Sequence, residues 1–237
     1  MRLEKLDIFR GIAIVLMVLF HFNYSLVYTF DIGFLNFSDT FWFIVGKISV
    51  ILFILIAGIS FCLAEKKYSN NITKKYLKIS TILAIFACSI TIITYLLNNE
   101  FYIRFGILHY FSLSFLFMLF FRRLGYYNVI LGIIIIIYGV YFIPIIQNTH
   151  LFFLGFMYPG FTSSDYYPII PYFGIMLLGY SFALYLNDID KLNIFKLKNH
   201  KNILEKILEY LGKKSFIIYL IHQPIIVCLI FLIILLF

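Results

Sequence analysis

Seven stretches of about 20 mostly apolar residues, each long enough to cross a bilayer as a helix, divide this chain almost from end to end. They run about Leu6–Phe30, Phe41–Ala64, Tyr76–Leu97, Phe101–Phe121, Tyr127–Ile146, Pro168–Leu186 and Ser215–Phe237. Backbone polar groups must be satisfied internally in lipid, so stretches of this kind fold as helices. Of the 237 residues only 13% are charged, whereas a soluble domain carries about 25%. The expected fold is all-α, a polytopic transmembrane helical bundle of about seven spans, read as a single domain over residues 1–237. Leu6–Phe30 is too long for a signal-peptide core and no small-residue cleavage site follows it, so it is read as a retained first helix.

The loops give an independent check. Arg2 and Lys5 precede the first span. Lys66, Lys67, Lys74 and Lys75 lie between the second and third, and Arg122 and Arg123 between the fourth and fifth. Lys191, Lys196, Lys198, Lys201, Lys206, Lys213 and Lys214 lie between the sixth and seventh. The alternate loops Asp31–Thr40, Asn98–Glu100 and Gln147–Tyr167 contain neither lysine nor arginine. Positive loops stay inside, so the N-terminus is expected in the cytoplasm, the C-terminus outside, and the chain in the cell membrane as a multi-pass protein. This distribution accounts for the net charge of +8. No basic face with interleaved base-stacking aromatics is present, and no nucleic-acid partner is expected. Cys62, Cys88 and Cys228 fall inside apolar stretches without CxxC spacing and read as small core residues. Membrane lipids are the expected surroundings; the sequence leaves the oligomeric state open, a homodimer included.

The cytoplasmic loop 190–213 has a pattern of its own. Ile203, Leu204, Ile207, Leu208 and Leu211 recur at helical spacing, while Lys201, Glu205, Lys206 and Glu209 fill the other face, and Gly212 can end the helix. An amphipathic helix on the inner leaflet is expected. The loop Gln147–Tyr167 is long and aromatic (FMYPGFTSSDYYP), which suits either a binding loop or an interfacial aromatic belt.

Ionisable residues inside spans are costly and point to function. In the first span Arg10 and His21 are eleven residues apart, three helical turns, so they share a face roughly 16 Å apart along the axis. Asp7, Ser25 and Tyr28 join that face. Asp7 and Arg10 are spaced to pair. A neutral imidazole at His21 can serve as nucleophile or general base. Topology puts Lys47, Arg104 and His109 in outer halves of their spans and Asp165 just before the sixth, at the depth of His21. His222 and Gln223 are expected toward the cytoplasmic half, nearer Arg10, with Pro224 removing one helical hydrogen bond there. The histidines lack ligand spacing, so no metal site is expected. No P-loop, GxSxG or dinucleotide fingerprint is present.

The segments LDIFRGIAIVLMVLFH at Leu6–His21, FGILHY at Phe105–Tyr110, DYYPIIPYFG at Asp165–Gly174 and SFIIYLIHQP at Ser215–Pro224 resemble the heparan-α-glucosaminide N-acetyltransferase catalytic-domain family. The Arg10 to His21 spacing also resembles the Arg-x10-His motif of the wider acyltransferase-3 membrane enzymes. The resemblance implies transfer of an acetyl or other acyl group from cytosolic acyl-CoA to a hydroxyl or amine of an extracytoplasmic acceptor, a small molecule or glycan. It carries the catalytic role onto His21, with Arg10 as motif partner. Asp7, Arg10, His222 and Gln223 are then expected on the acetyl-CoA side, and Lys47, Arg104, His109 and Asp165 as supporting or acceptor-side groups. Acyl-CoA is expected as co-substrate, with no permanently bound cofactor. The alternative from patterning alone is a transporter or flippase for a polar lipid or glycan intermediate, in which the same charges line a substrate path.

Overall fold

Eight α-helices carry the chain in the computed structural model, which describes residues 3–32, 40–143, 150–197 and 201–236. They are α1 (Glu4–Tyr28), α2 (Thr40–Lys67), α3 (Ile72–Leu97), α4 (Ile107–Phe121), α5 (Tyr127–Tyr141), α6 (Ile169–Asp188), α7 (Ile203–Lys213) and α8 (Ser215–Leu236). Among the described residues no strand occurs. Six helices are long and apolar enough to cross a membrane: α1, α2, α3, α6, α8, and α4 taken with the 3-10 turn Arg122–Leu124 that continues it. The expected fifth span appears as the shorter apolar helix α5; residues 144–146 of that stretch, and 147–149 of the loop that follows, lie outside the described residues. The protein is thus an all-helical multi-pass membrane protein. The expected helix of the 190–213 loop is present as α7. Its start is fixed by a capping box in which Asn202 Oδ1 accepts from Glu205 N at 2.7 Å and the Glu205 carboxylate accepts from Asn202 N at 3.0 Å.

The chain forms two compact units, and α2 contributes its first part to one and its second part to the other. The first unit comprises Met1–Ile56 and Asp190–Phe237. Within it α1 is the common neighbour. Ser49 Oγ of α2 donates to Ala13 O at 2.9 Å, and Gly46 of α2 leaves room for the Phe20 ring. On another face α1 meets α7 with its backbone nearly bare. A Cβ on Gly11 would collide with Leu208 O, and one on Gly212 would collide with Asp7 O. The helices run antiparallel where they touch, and only hydrogen at both positions permits the approach.

The second unit is Ala57–Ile189. Here α5 and α6 cross at Gly132 and Gly174, where a Cβ on Gly132 would stand 2.9 Å from Gly174 O. Helix α3 joins α4 through Ser112 Oγ, which donates to Ser80 O at 2.8 Å. One end of the unit is tied by a polar cluster. Arg122 Nη1 pairs with Glu65 Oε1 at 2.9 Å, and the Tyr180 hydroxyl donates to Glu65 Oε2 at 2.8 Å. These residues come from the C-terminal ends of α2 and α4 and from α6. The turn from α4 to α5 relies on Gly125 at φ 53°, a left-handed conformation that glycine adopts without a Cβ clash.

Candidate active site

The polar stripe of α1 is a seam. Its lower part meets α7 and its upper part meets α8, both in the first unit. Asp7 is buried, with its backbone oxygen against Gly212 and its carboxylate accepting from Arg10 Nη1 at 2.7 Å. An unpaired carboxylate in that position would cost several kcal/mol, so the i,i+3 pair accounts for the spacing of these two residues. Four turns higher, Ser25 is fully buried and its hydroxyl accepts from Gln223 Nε2 at 3.0 Å. Tyr28, at the top of the stripe, is exposed.

Between these fixed ends lies His21. Its ring centroid is 4.8 Å from that of His222, with the planes at 61°, and 5.3 Å from that of Phe20. Sequence reasoning placed His222 and Gln223 nearer Arg10. The structure places them against His21 and Ser25, because α7 runs back along the start of α1 and α8 rises from its end. His222 is buried, and its Nδ1 lies 2.6 Å from Tyr219 O. A carbonyl can only accept, so Nδ1 carries a hydrogen, and the neutral ring presents a lone pair at Nε2. That Nε2 is buried with no hydrogen-bond partner among the described residues, as is Gln223 Oε1. The His21 imidazole makes no hydrogen bond among the described residues either. One imidazole is therefore anchored and the other is held only by ring contacts, with unused nitrogen on both. Buried polar atoms without partners are rare in folded proteins and mark places where a ligand or water completes the structure.

Lys47 lies at the same level of the first unit, since Gly46 receives Phe20, the neighbour of His21. Its side chain is exposed, with Nζ 5.4 Å from the centre of the Phe43 ring. Outward placement with the stem along apolar surface is the snorkelling geometry of lysine.

The other three expected residues fall together in the second unit, at a junction between segments 100–106 and 161–167. Tyr167 N donates to Phe105 O at 3.0 Å, Thr162 Oγ1 donates to Glu100 O at 2.6 Å, and Ser164 Oγ donates to Phe101 O. Arg104 stitches the same two segments. Its Nε donates to Thr162 O at 2.8 Å, and its Nη1 donates to the Tyr102 hydroxyl at 2.9 Å. Its guanidinium also stacks 4.4 Å from the Tyr102 ring centre. Asp165 caps α4: Oδ2 accepts from Ile107 N at 3.2 Å and occupies the space a Gly106 side chain would need. Burial pushes the Asp165 carboxyl up to about 6, against the pull of the Ile107 N–H, which lowers it. Burial likewise raises the neighbouring Tyr166 phenol.

His109 belongs to this cap. Its Nδ1 accepts from Gly106 N at 3.2 Å, and its Nε2 lies 3.3 Å from Thr91 Oγ1. Thr91 gives its hydroxyl hydrogen to Ile103 O at 2.7 Å, so it must accept from His109, which fixes the Nε2–H tautomer. Both nitrogens of His109 are thereby occupied. Arg104 and His109 hold the loop junction by these bonds.

Sequence reasoning did not single out Tyr219, whose carbonyl sets the His222 tautomer, nor Ser25 as the Gln223 partner. A serine and a histidine at i,i+4 on α1, facing consecutive residues of SFIIYLIHQP, is the signal that was present. Glu65 and Tyr180 were also missed; Glu65 is the lone acid in the loop-end run AEKK.

The fold is that of a multi-pass helical membrane protein, and its first unit brings His21 and His222 into ring contact. The family model described as heparan-alpha-glucosaminide N-acetyltransferase, catalytic, matches residues 2–224. The chain belongs to that family and, with it, to the membrane acetyltransferases. No curated protein and no solved structure matches the chain.

Proposed function

We propose that the protein moves an acetyl or other acyl group from acyl-CoA on the cytoplasmic side to a hydroxyl or amine of an acceptor on the far side, with His21 as the reacting group. The observation that supports this reading is the His21–His222 pair: two imidazoles in contact, one locked by the Tyr219 carbonyl, whose Nε2 has no hydrogen-bond partner among the described residues. Membership of the acetyltransferase family supports the reaction class.

Arg10 and His21 divide the labour along α1. The cationic end suits the phosphates of the donor, and the rise between the two residues, roughly 16 Å, suits a thin pantetheine arm. A neutral imidazole lone pair takes the proton of the acceptor O–H or N–H as its oxygen or nitrogen attacks the thioester carbonyl carbon; the C–S bond breaks, and the CoA thiolate leaves and is protonated. Alternatively an unprotonated nitrogen of His21 attacks the thioester carbon, the C–S bond breaks and CoA leaves as the thiolate; the acceptor then attacks the acyl carbon, the acyl–imidazole bond breaks, and the unused Nε2 of His222 receives the acceptor's proton. Either route uses the same two rings.

The test is incorporation of label from acetyl-CoA into candidate glycan acceptors by purified protein in lipid. Native protein should transfer label, and His21→Ala should lose it. Undiminished transfer by His21→Ala would overturn the assignment. Movement of a glycan lipid across proteoliposomes without any acyl-CoA would favour a flippase instead.

A further inference from the structure

Helix α7 sits the wrong way round for a helix in water. Residues Glu205, Leu208, Glu209 and Gly212 share one side by helical spacing, and that side faces α1: Leu208 and Gly212 make backbone contact with it, and Glu209 and Gly212 are buried. Glu209 is neutralised where it lies, pairing with Lys201 Nζ at 2.5 Å and with Lys213 Nζ. The two ammonium groups hold its carboxyl below the usual carboxylate range. The opposite arc is apolar and open. Ile203 is 77% exposed, Leu204 62%, Ile207 52% and Tyr210 61%. Lys206 and Lys214, also exposed, flank that arc.

A soluble helix buries its apolar face and shows its charged one, so this arrangement calls for an apolar neighbour outside the protein, edged by negative charge. We propose that α7 is a lipid-binding helix whose Ile203, Leu204, Ile207 and Tyr210 enter the acyl region of the bilayer while Lys206 and Lys214 engage anionic phospholipid headgroups. Three features favour a lipid surface over a second protein. The arc is a shallow strip of aliphatic side chains with one tyrosine, the composition of an interfacial helix. Its charge is of one sign, complementary to anionic headgroups, whose pull on each nearby lysine is appreciable. The spans on either side of the loop, α6 and α8, already commit this chain to a bilayer. Because α7 touches Asp7 and Gly11 on either side of Arg10, a lipid that seats α7 also seats the lower end of the stripe. This inference does not depend on the acyl-transfer reading, and its test uses no substrate.

The chain has one tryptophan, Trp42. In the Trp42→Phe background, Ile207→Trp puts a single indole on the open arc, and Leu229→Trp puts one on the exposed side of α8 as a lipid reference. Both are reconstituted in vesicles of phosphatidylcholine and phosphatidylglycerol, with bromines on the acyl chains of one lipid or the other at equal mole fraction. The indole at 207 should be quenched by bromolipid and little by aqueous iodide. Bromines on phosphatidylglycerol should quench it roughly twice as strongly as bromines on phosphatidylcholine. Lys206→Glu with Lys214→Glu should erase that difference while leaving the Leu229→Trp reference unchanged. Should Trp42→Phe fail to fold, the same readout is taken as a difference against the native chain. Quenching by iodide alone would overturn the proposal. So would shielding from both quenchers, the mark of a protein partner or second copy. Equal quenching by the two bromolipids would overturn the anionic preference.

Discussion

His21 and His222 face each other at 4.8 Å between ring centres, yet they share no hydrogen bond, and only His222 is anchored. His222→Asn tests what the pair does. Asparagine can still donate to the Tyr219 carbonyl but has no nitrogen at the Nε2 position. The melting temperature should stay within about 2 °C of native, while kcat should fall by about 10²-fold, the lower range for a lost acid–base group. Single-turnover transfer and thermal unfolding in the same lipid separate the two effects. A native kcat would assign the ring to packing alone.

The glycine contact between α1 and α7 should be intolerant. Gly11→Ala and Gly212→Ala each put a methyl group onto a backbone oxygen of the other helix. Each should cost about 1–3 kcal/mol and expose the segment Lys191–Leu197 to protease. Gly160→Ala is the control, since nothing lies within 4 Å of its added Cβ and only its φ of 80° is strained. Limited proteolysis followed by mass mapping reads the difference.

Asp165 should make stability depend on pH. Its carboxyl titrates at about 6 in the folded chain, above the ordinary 3.8. The folded state therefore holds a proton that the unfolded state has lost, and stability falls as pH rises from about 4 to about 6. Asp165→Asn, neutral throughout, should flatten that window. Melting curves of both proteins at pH 4, 5, 6 and 7 test this, and parallel curves would refute it.

The Glu65–Arg122–Tyr180 cluster should show coupling. Arg122→Met leaves a half-buried carboxylate whose remaining partner is the Tyr180 hydroxyl, and should destabilise by about 1–3 kcal/mol. Glu65→Gln should rescue part of that loss in the double variant. Urea unfolding of the four proteins gives the coupling, expected at about 0.5–2 kcal/mol; strict additivity would remove the pair from the account.

Much of the fold was legible because a bilayer imposes its own length on apolar runs, and six helices met that length at the expected places. The α1 stripe was legible for the same reason: charge inside a span must face protein, and Asp7, His21 and Ser25 do. The partners across the seam were not legible. Depth along α8 was counted from its loop, but α7 doubles back along α1 before α8 begins, which brings His222 to the level of His21. Periodicity gave α7 its two faces and an expected place on the inner leaflet, but not the close backbone contact of its other face with Asp7 and Gly11 of α1, which depends on how distant segments meet. At the loop junction, Arg104 and His109 were expected as supporting or acceptor-side groups because ionisable residues within a span are costly. Their bonds to Thr162, Tyr102, Thr91 and Gly106 depend on how two distant loops meet, which no local pattern encodes.

The division of the chain also constrains its birth. Ala57–Ile189 is continuous and can close as soon as it is made, whereas the unit around α1 needs Asp190–Phe237 as well. During synthesis the first helix therefore enters the membrane with Asp7, His21 and Ser25 lacking the neighbours that later cover them. That face stays without α7 and α8 until well over a hundred further residues have been made.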